Sequence, residues 1–321
     1  MPAPCVVGVD MGGTKLLAGA IDADLHVHHR AHRWLAGLEQ EAVLATAVDA
    51  VEELRAATGG AIDRACFGIP STIDRRRGVA VQAVNLDLFN VAFADVMSDR
   101  LGLAVSADND ANLAALGEQR AGAARDARHV VLLTVGTGIG GGLVLDGSLY
   151  HGSQGSAAEL GHTVVEIDGP RCQGACPNRG CLEAVASGTA LAREARDYAA
   201  NHPDSPLGAL ARGGRELTGM LVTELAHDGD SGARELLALV GRRLGVGIAN
   251  FVNVFNPEVV VVGGGVMGAG ELLLAPARAE VAARALAPGR DSVRIVAAGL
   301  GSEAGMVGAG AMAWDGRAAA A

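Results

Sequence analysis

Hydrophobic and polar positions along the chain fall into two successive runs of the same kind. Residues 4–10 (PCVVGVD) are apolar and β-branched, the pattern of a buried strand, and end in a carboxylate before Met11-Gly12-Gly13-Thr14-Lys15. Residues 16–21 and 26–32 continue as strands, so the opening is a meander. Residues 39–57 set Val43, Leu44, Ala47, Val48, Val51 and Leu54 on one face at helical spacing. A buried strand over 64–69 breaks at Gly68-Ile69-Pro70. Beyond it the pattern predicts a short strand over 79–84, a helix over 91–101, a strand over 104–107 and a helix over 110–119. Then the pattern restarts. Residues 129–135 form a buried strand that runs into Gly136-Thr137-Gly138-Ile139-Gly140-Gly141-Gly142, ahead of a strand over 143–145. Helices are expected near 188–199, 216–226 and 231–255, then a strand over 257–262 entering Gly263-Gly264-Gly265. A strand over 292–297 and a terminal helix over 302–313 close the chain.

Two β-rich openings that each end in Gly-Thr imply two related α/β domains with a cleft between them. The boundary is placed near residues 122–128, giving domains 1–122 and 123–321, with a terminal helix (302–316) expected to cross back to the first. Gly12, Gly13, Thr14 and Lys15 follow a strand ending in Asp10. Their backbone N–H groups, a hydroxyl and an ammonium suit phosphate oxygens, and the Asp10 carboxylate suits magnesium. An ordinary hairpin explains one such turn equally well. Recurrence at Gly136-Thr137-Gly138 and again at Gly263-Gly264-Gly265 favours a nucleotide. No GxxxxGK[ST] pattern occurs, and the glycines after 138 lead into a strand, so neither a P-loop nor a dinucleotide fingerprint fits.

Residues 159–183, ELGHTVVEIDGPRCQGACPNRGCLE, concentrate His162 and three of the five cysteines, Cys172, Cys176 and Cys181. Those four donors suit tetrahedral zinc, and Pro177, Asn178 and Gly180 favour a knuckle between the last two cysteines. Buried small hydrophobes or a disulfide pair are the alternatives. Asp108-Asn109-Asp110-Ala111-Asn112 precedes a helix. A helix cap needs one such residue, whereas four polar side chains in five at a strand end suggest a site.

Composition narrows the class of partner. The 321 residues carry a net charge of −10 and only 3% aromatics, which argues against a nucleic-acid surface. The first residues lack a basic, apolar leader, and no run is read as long enough to span a bilayer, so no membrane partner and a cytoplasmic location are expected. Thiols stay reduced there, which favours metal over disulfide.

The ELGH sequence with the cluster ending CPNRGCLE resembles the ROK family of bacterial sugar kinases and their repressor relatives, closest to the bacterial glucokinases. The family's cysteines are separated by one residue and then four. Here the first gap holds Gln-Gly-Ala, and Pro177 stands where the family usually has glycine. Asn109-Asp110-Ala111-Asn112 matches the family's N-D-x-N, Asn85 in AVNLD its Asn-Leu, and residues 256–265 its adenine-side segment. GIPSTID (residues 68–74) departs from the family's GxPGxVD at Ser71. The resemblance implies a two-domain actin-like ATPase (ribonuclease H-like) fold. It also implies an ATP- and magnesium-dependent kinase acting on the 6-hydroxyl of a hexose, with glucose the expected one. Asp110 would be the catalytic base, and Asn85, Asn109, Asp110, Glu159, His162 and Glu183 would meet the sugar. Gly12, Gly13, Thr14, Lys15, Thr137, Gly138, Gly264 and Gly265 would hold the nucleotide, and the zinc would be structural. A homo-oligomer, dimer or tetramer, is expected. Another hexose, polyphosphate as donor, or a non-catalytic sugar-sensing protein are the competing readings. A repressor would need an N-terminal helix-turn-helix, and the first strand, reached by Val6, is read as leaving no room for one.

Overall fold

In the first β-rich opening, β1 (Cys5–Met11) turns through Gly12-Gly13-Thr14 into antiparallel β2 (Lys15–Ile21), and β3 (Val27–Trp34) completes the meander. α1 (Gln40–Ala57) buries Val43, Leu44, Ala47, Val51 and Leu54, the face set by its helical spacing. β4 (Ile62–Ile69) returns parallel to β1. The structure, a computed structural model, describes residues 4–74, 77, 79–83 and 86–318. Next comes a small antiparallel sheet, β5 (Ser71–Asp74), β6 (Val79–Ala83) and β7 (Phe89–Val91), of which the sequence showed only β6. Pairing of β7 with β6 takes residues 89–91, so α2 (Phe93–Leu101) starts later than its periodicity suggested. β8 (Ala104–Asn109) leads directly into α3 (Asp110–Ala121).

β9 (Val130–Val135) is followed by β10 (Ile139–Leu145) and β11 (Ser148–Leu149). Here the expectation of a strand over 143–145 is corrected: the strand begins at Ile139, and glycines 140–142 lie within it. Gly142 is required there, since a Cβ would stand 2.6 Å from the Ala111 carbonyl oxygen. Five helices follow: α4 (Leu182–Ala186), α5 (Gly188–Asn201), α6 (Pro206–Arg212), α7 (Gly219–His227) and α8 (Ser231–Phe255). α7 starts after Glu216 because Thr218 caps it, its hydroxyl accepting from the Leu221 N–H at 3.2 Å. The remaining elements are β12 (Val259–Gly263), α9 (Glu271–Arg284), α10 (Gly289–Ser292), β13 (Arg294–Ala297) and α11 (Ala304–Ala318). α9 was not expected, and it tolerates Pro276 in its interior.

The chain divides into two compact units. Unit 1 comprises Met1–Arg128, Gly142–Ala158 and Ala298–Ala321; unit 2 comprises His129–Gly141 and Glu159–Ala297. Unit 1 holds the sheet β3-β2-β1-β4-β8, in which β1, β4 and β8 run parallel. Alternation along β1 sends Val7 and Val9 to a core shared with α1 and α2, and Val6 to a second core with Leu113 of α3 and Ala309 and Ala313 of α11. Fully burying such a side chain is worth about 1.5–3 kcal/mol. Gly8 lets α11 close onto the sheet, because a Cβ there would overlap the Met306 carbonyl. Glu118 is wholly buried, yet its carboxylate accepts from the Ala123, Gly299 and Leu300 N–H groups at 2.7–2.9 Å, which satisfies its charge.

Unit 2 repeats the parallel part of that plan with β9, β12 and β13. α9 packs on α8 where Gly241 and Gly245 leave room for the Leu273 and Ala277 carbonyls. α8 is, among the described residues, the one helix long and apolar enough by length and composition to cross a bilayer, although no run of the sequence was read as that long. Its Leu237, Val240, Leu244 and Ile248 are fully buried, so it is a core helix.

Candidate active site

Strand register decides which side chains meet in unit 1. Asp10 pairs with Gly68, Gly68 with Asp108, and Ile69 with Asn109, so β1, β4 and β8 end in one row. Ligands of open α/β sheets bind at this carboxyl edge. It carries Asp10, Asn109 and Asp110, together with the turn of Gly12, Gly13, Thr14 and Lys15. That turn is a tight hairpin closed by the Gly12 N–H donating to the Lys15 carbonyl at 2.8 Å, and Thr14 and Lys15 are exposed. Gly68 lies beneath Asp110, where a Cβ would stand 3.4 Å from the Asp110 Cα. Asn85 lies outside the described residues.

Within the Asp108–Asn112 run, the cap reading holds at Asn109. Asn109 is the N-cap of α3: its Oδ1 accepts from the Ala111 and Asn112 N–H groups at 2.9 and 3.2 Å. Asp110, first in the helix, accepts from the Ala111 N–H through Oδ1 at 2.8 Å. Asp108 is buried and anchored by Asn112 Nδ2 at 3.0 Å and His151 Nε2 at 2.6 Å. Burial pushes the Asp108 pKa up, but the hydrogen bonds from His151, Asn112 and the Asn109 amide, with the imidazole charge, outweigh it and leave the carboxyl below the ordinary range. Asp10 goes the other way. Burial first, and the Asp110 charge second, push it up to about 7 against the pull of Lys15. Two carboxylates driven against each other at a strand edge are a donor set that a divalent cation would relieve. Gly305, in the first turn of α11, admits the Asp10 carboxylate, since a Cβ there would stand 2.7 Å from its Cγ.

In unit 2 the same carboxyl edge carries glycines in place of carboxylates. β9 ends at Gly136-Thr137-Gly138, and β12 at Gly263-Gly264-Gly265. Gly264 has φ +91°, and a Cβ on it would overlap the Val135 carbonyl, so only glycine fits. A cavity of about 700 Å³ opens here, lined by Gly136, Thr137 and Gly265 and by Thr189, Leu217 and Thr223. The last three escaped sequence reasoning. The available signal was Ser187-Gly188-Thr189, where Ser187 caps α5, the Gly188 N–H donates to the Gly136 carbonyl at 2.8 Å and the Thr189 hydroxyl donates to the Thr137 carbonyl at 2.8 Å.

His162, Cys172, Cys176 and Cys181 come together, their donor atoms all within 4.8 Å of one another. The Cys176 and Cys181 sulfurs are 3.9 Å apart, and Cys172 Sγ is 3.5 Å from His162 Nδ1. Tetrahedral zinc with sulfur bonds near 2.3 Å requires sulfurs about 3.8 Å apart, with slightly shorter nitrogen–sulfur edges. The donor set therefore fits zinc. All five cysteines are free thiols. Burial, as the first cause, raises the Cys172 and Cys181 thiols. The knuckle is closed by the Cys172 N–H on the Asn178 carbonyl at 3.0 Å and the Gly180 N–H on the Pro170 carbonyl at 2.8 Å. Gly180 adopts φ +62°, and a Cβ there would overlap the Glu166 carbonyl. The three residues between the first two cysteines have a use: Gln173 Nε2 donates to the Thr137 carbonyl and the Ser187 hydroxyl, both at 3.3 Å.

Glu159 is exposed, one residue before the short 3-10 turn Leu160–His162. Glu183 sits in the first turn of α4. Its Oε2 accepts from the Ile139 N–H at 2.9 Å, and its Oε1 lies 3.6 Å from Cys172 Sγ. It thereby joins the cysteine knuckle to the strand that follows Gly138.

Strand-edge carboxylates in one unit and glycine loops in the other define a two-domain α/β phosphotransferase-type scaffold. The ROK family model matches residues 6–315, and the chain belongs to the ROK family, with the two-domain actin-like ATPase (ribonuclease H-like) fold. It is 36% identical to a glucokinase of Thermotoga maritima, over 96% of this chain and 97% of that protein. A ROK family glucokinase from Streptomyces griseus, solved in complex with glucose and AMPPNP, superposes with a TM-score of 0.83 at 33% identity, covering 97% of this chain and 99% of that one. A xylose repressor of Caldicellulosiruptor bescii is 33% identical over 65% of this chain and 51% of its own length.

Proposed function

We propose that this ROK protein is a hexokinase-type sugar kinase, a glucokinase that transfers the γ-phosphoryl group of ATP to the 6-hydroxyl of glucose. The observation that carries the reading is Asp110, held at the N-terminus of α3 on the carboxyl edge of the sheet beside Asp10. The likeness to glucokinases along nearly the whole chain supports the substrate pair. Phosphoryl transfer asks little covalent work of a protein, so positioning and charge do most of it. Asp110 takes the proton from the sugar 6-hydroxyl as that oxygen attacks phosphorus. Asn85, Asn109, Glu159, His162 and Glu183 hold the remaining hydroxyls.

Gly12, Gly13, Thr14, Lys15, Thr137, Gly138, Gly264 and Gly265 hold the nucleotide, and the unit 2 cavity is large enough for its nucleoside end. Magnesium, when bound with ATP, neutralises phosphate charge, and Asp10 is the residue that would hold it. Zinc, when bound by His162, Cys172, Cys176 and Cys181, has no open position and serves to fix the segment that bears Glu159 and Glu183. The enzyme is expected to work in the cytoplasm, where these thiols stay reduced, and as a homo-oligomer.

The test is a product-coupled assay of purified protein. It would set glucose, mannose, fructose and N-acetylhexosamines against ATP and polyphosphate. Glucose with ATP is expected to give the highest kcat/KM, with the phosphoryl group on the 6-oxygen. No turnover of any hexose with either donor would overturn the reading.

A further inference from the structure

Asp108 precedes the N-cap residue of α3, and the role of its partner His151 is not explained by the proposed chemistry. The Asp108 side chain is 3% exposed and that of His151 17%. One carboxylate oxygen of Asp108 accepts from the Asn109 N–H at 2.8 Å and from Asn112 Nδ2 at 3.0 Å, so it braces the strand-to-helix turn that presents Asp110. The other accepts from His151 Nε2 at 2.6 Å, a short, charge-assisted contact away from bulk water.

His151 stands at the base of a small loop. The Ala157 N–H donates back to the His151 carbonyl at 3.2 Å, which closes residues 151–157 on themselves. Just before it, the Tyr150 N–H is held by the Leu143 carbonyl at 2.9 Å. The loop passes through Gly152 at φ +68° and Gly155 at φ +92°. It ends with Ala158 at φ +67°, a left-handed conformation that costs a non-glycine residue on the order of 1–3 kcal/mol. The next residue is Glu159. A strained backbone keeps its conformation only when its surroundings over-determine it, and the His151 side chain ties the base of this loop to Asp108.

We infer that Asp108 and His151 are a positioning pair for the phosphoryl transfer: Asp108 braces the turn that presents Asp110, and His151 fixes the loop that leads into Glu159. The inference rests on the assignments of Asp110 and Glu159 made above. Neither Asp108 nor His151 touches substrate in this scheme. Each acts through the residues it holds, Asp108 through Asn112 and the Asn109 amide, His151 through residues 151–158. Loss of the pair therefore blurs sugar binding and leaves the unit 2 nucleotide loops as they are.

The test is steady-state kinetics with glucose and ATP varied in turn. The variants are His151→Ala, His151→Gln, Asp108→Asn and the double His151→Ala/Asp108→Asn, with Asp110→Asn run alongside. His151→Ala is expected to raise the glucose KM about tenfold and to move the ATP KM less than about twofold. His151→Gln, whose amide can still donate to Asp108, is expected to recover most of that loss. The double variant is expected to be no worse than the poorer single, because the two residues act as one unit. An unchanged glucose KM, equal rises in both KM values, or multiplicative losses in the double variant would each overturn the pair. Should His151→Ala not accumulate as folded protein, Asp108→Asn with His151→Gln carries the same comparison. Turnover retained in Asp110→Asn would overturn the assignment of Asp110 as the base, on which the inference rests, whereas loss of turnover in Asp110→Asn with an unaffected His151→Ala overturns the positioning pair alone.

Discussion

Two parallel three-strand ladders, β1-β4-β8 in unit 1 and β9-β12-β13 in unit 2, end in turns of opposite chemistry. In unit 1 the edge bears Asp10, Asp108 and Asp110, and burial first, with the Asp110 charge second, raises Asp10 to about 7. In unit 2 the edge bears Gly136, Gly138, Gly263, Gly264 and Gly265, where backbone approaches backbone and no side chain fits at Gly264. One scaffold thus yields an edge in which carboxylates stand beside a Gly-Thr-Lys turn, and an edge of glycines, suited to anions. The scaffold sets where a ligand can sit, and the residue type at the strand end sets what it can be.

The largest effect that would break this comparison is expected at Asp110. General-base catalysis is typically worth about 10²–10⁴-fold, so Asp110→Asn should lower kcat within that range in a coupled assay. More than about a tenth of wild-type kcat would take Asp110 out of the chemistry. The metal segment comes next. Elemental analysis is expected to find about one zinc per chain, and chelation to lower the melting temperature and raise the glucose KM about tenfold. Protein free of zinc that keeps its melting temperature and its KM would contradict the donor assignment. Third, Glu159→Gln is expected to raise the glucose KM about tenfold with little change for ATP, since hydrogen bonds to charged groups are worth about 1.5–3 kcal/mol. Glu183→Gln should differ from it in one respect. Glu183 also holds the Ile139 N–H, so the ATP KM should rise as well, by a smaller factor.

The smallest effect concerns acid stability. Folding lowers the Asp108 carboxyl below its ordinary value of 3.8. Such a group contributes stability that is fully present above that value and is lost as pH falls through the folded pKa. Asp108→Asn removes this contribution, so its unfolding free energy from urea titrations should fall less steeply than the wild type's below about pH 4. Equal steepness would show that Asp108 titrates alike folded and unfolded.

What the sequence revealed was local. β-branched runs that stop at glycine marked β1, β9 and β12, and the His162, Cys172, Cys176 and Cys181 donor group lay within one short segment. What stayed hidden needed partners distant in the chain. β5 and β7 exist through pairing with β6, and α9 is secured by packing on the glycines of α8 despite Pro276. The contact of His151 with Asp108 spans 43 positions and leaves no periodic trace. Glycines 140–142 read as a turn, yet they belong to β10, where Gly142 makes room for α3. A glycine that relieves a close approach and one that permits a turn look alike in sequence.

The division of labour between the two edges is tested most directly by titrating ATP and glucose, separately, into Asp110→Asn and Gly264→Ala by calorimetry. A side chain at Gly264 meets both the φ +91° backbone and the Val135 carbonyl, strain of about 1–3 kcal/mol that an approach to phosphate cannot absorb. Asp110→Asn is expected to bind ATP as the wild type does. Gly264→Ala is expected to bind glucose as the wild type does and ATP about tenfold more weakly. Loss of ATP affinity in Asp110→Asn, or loss of glucose affinity with ATP binding retained in Gly264→Ala, would contradict the account.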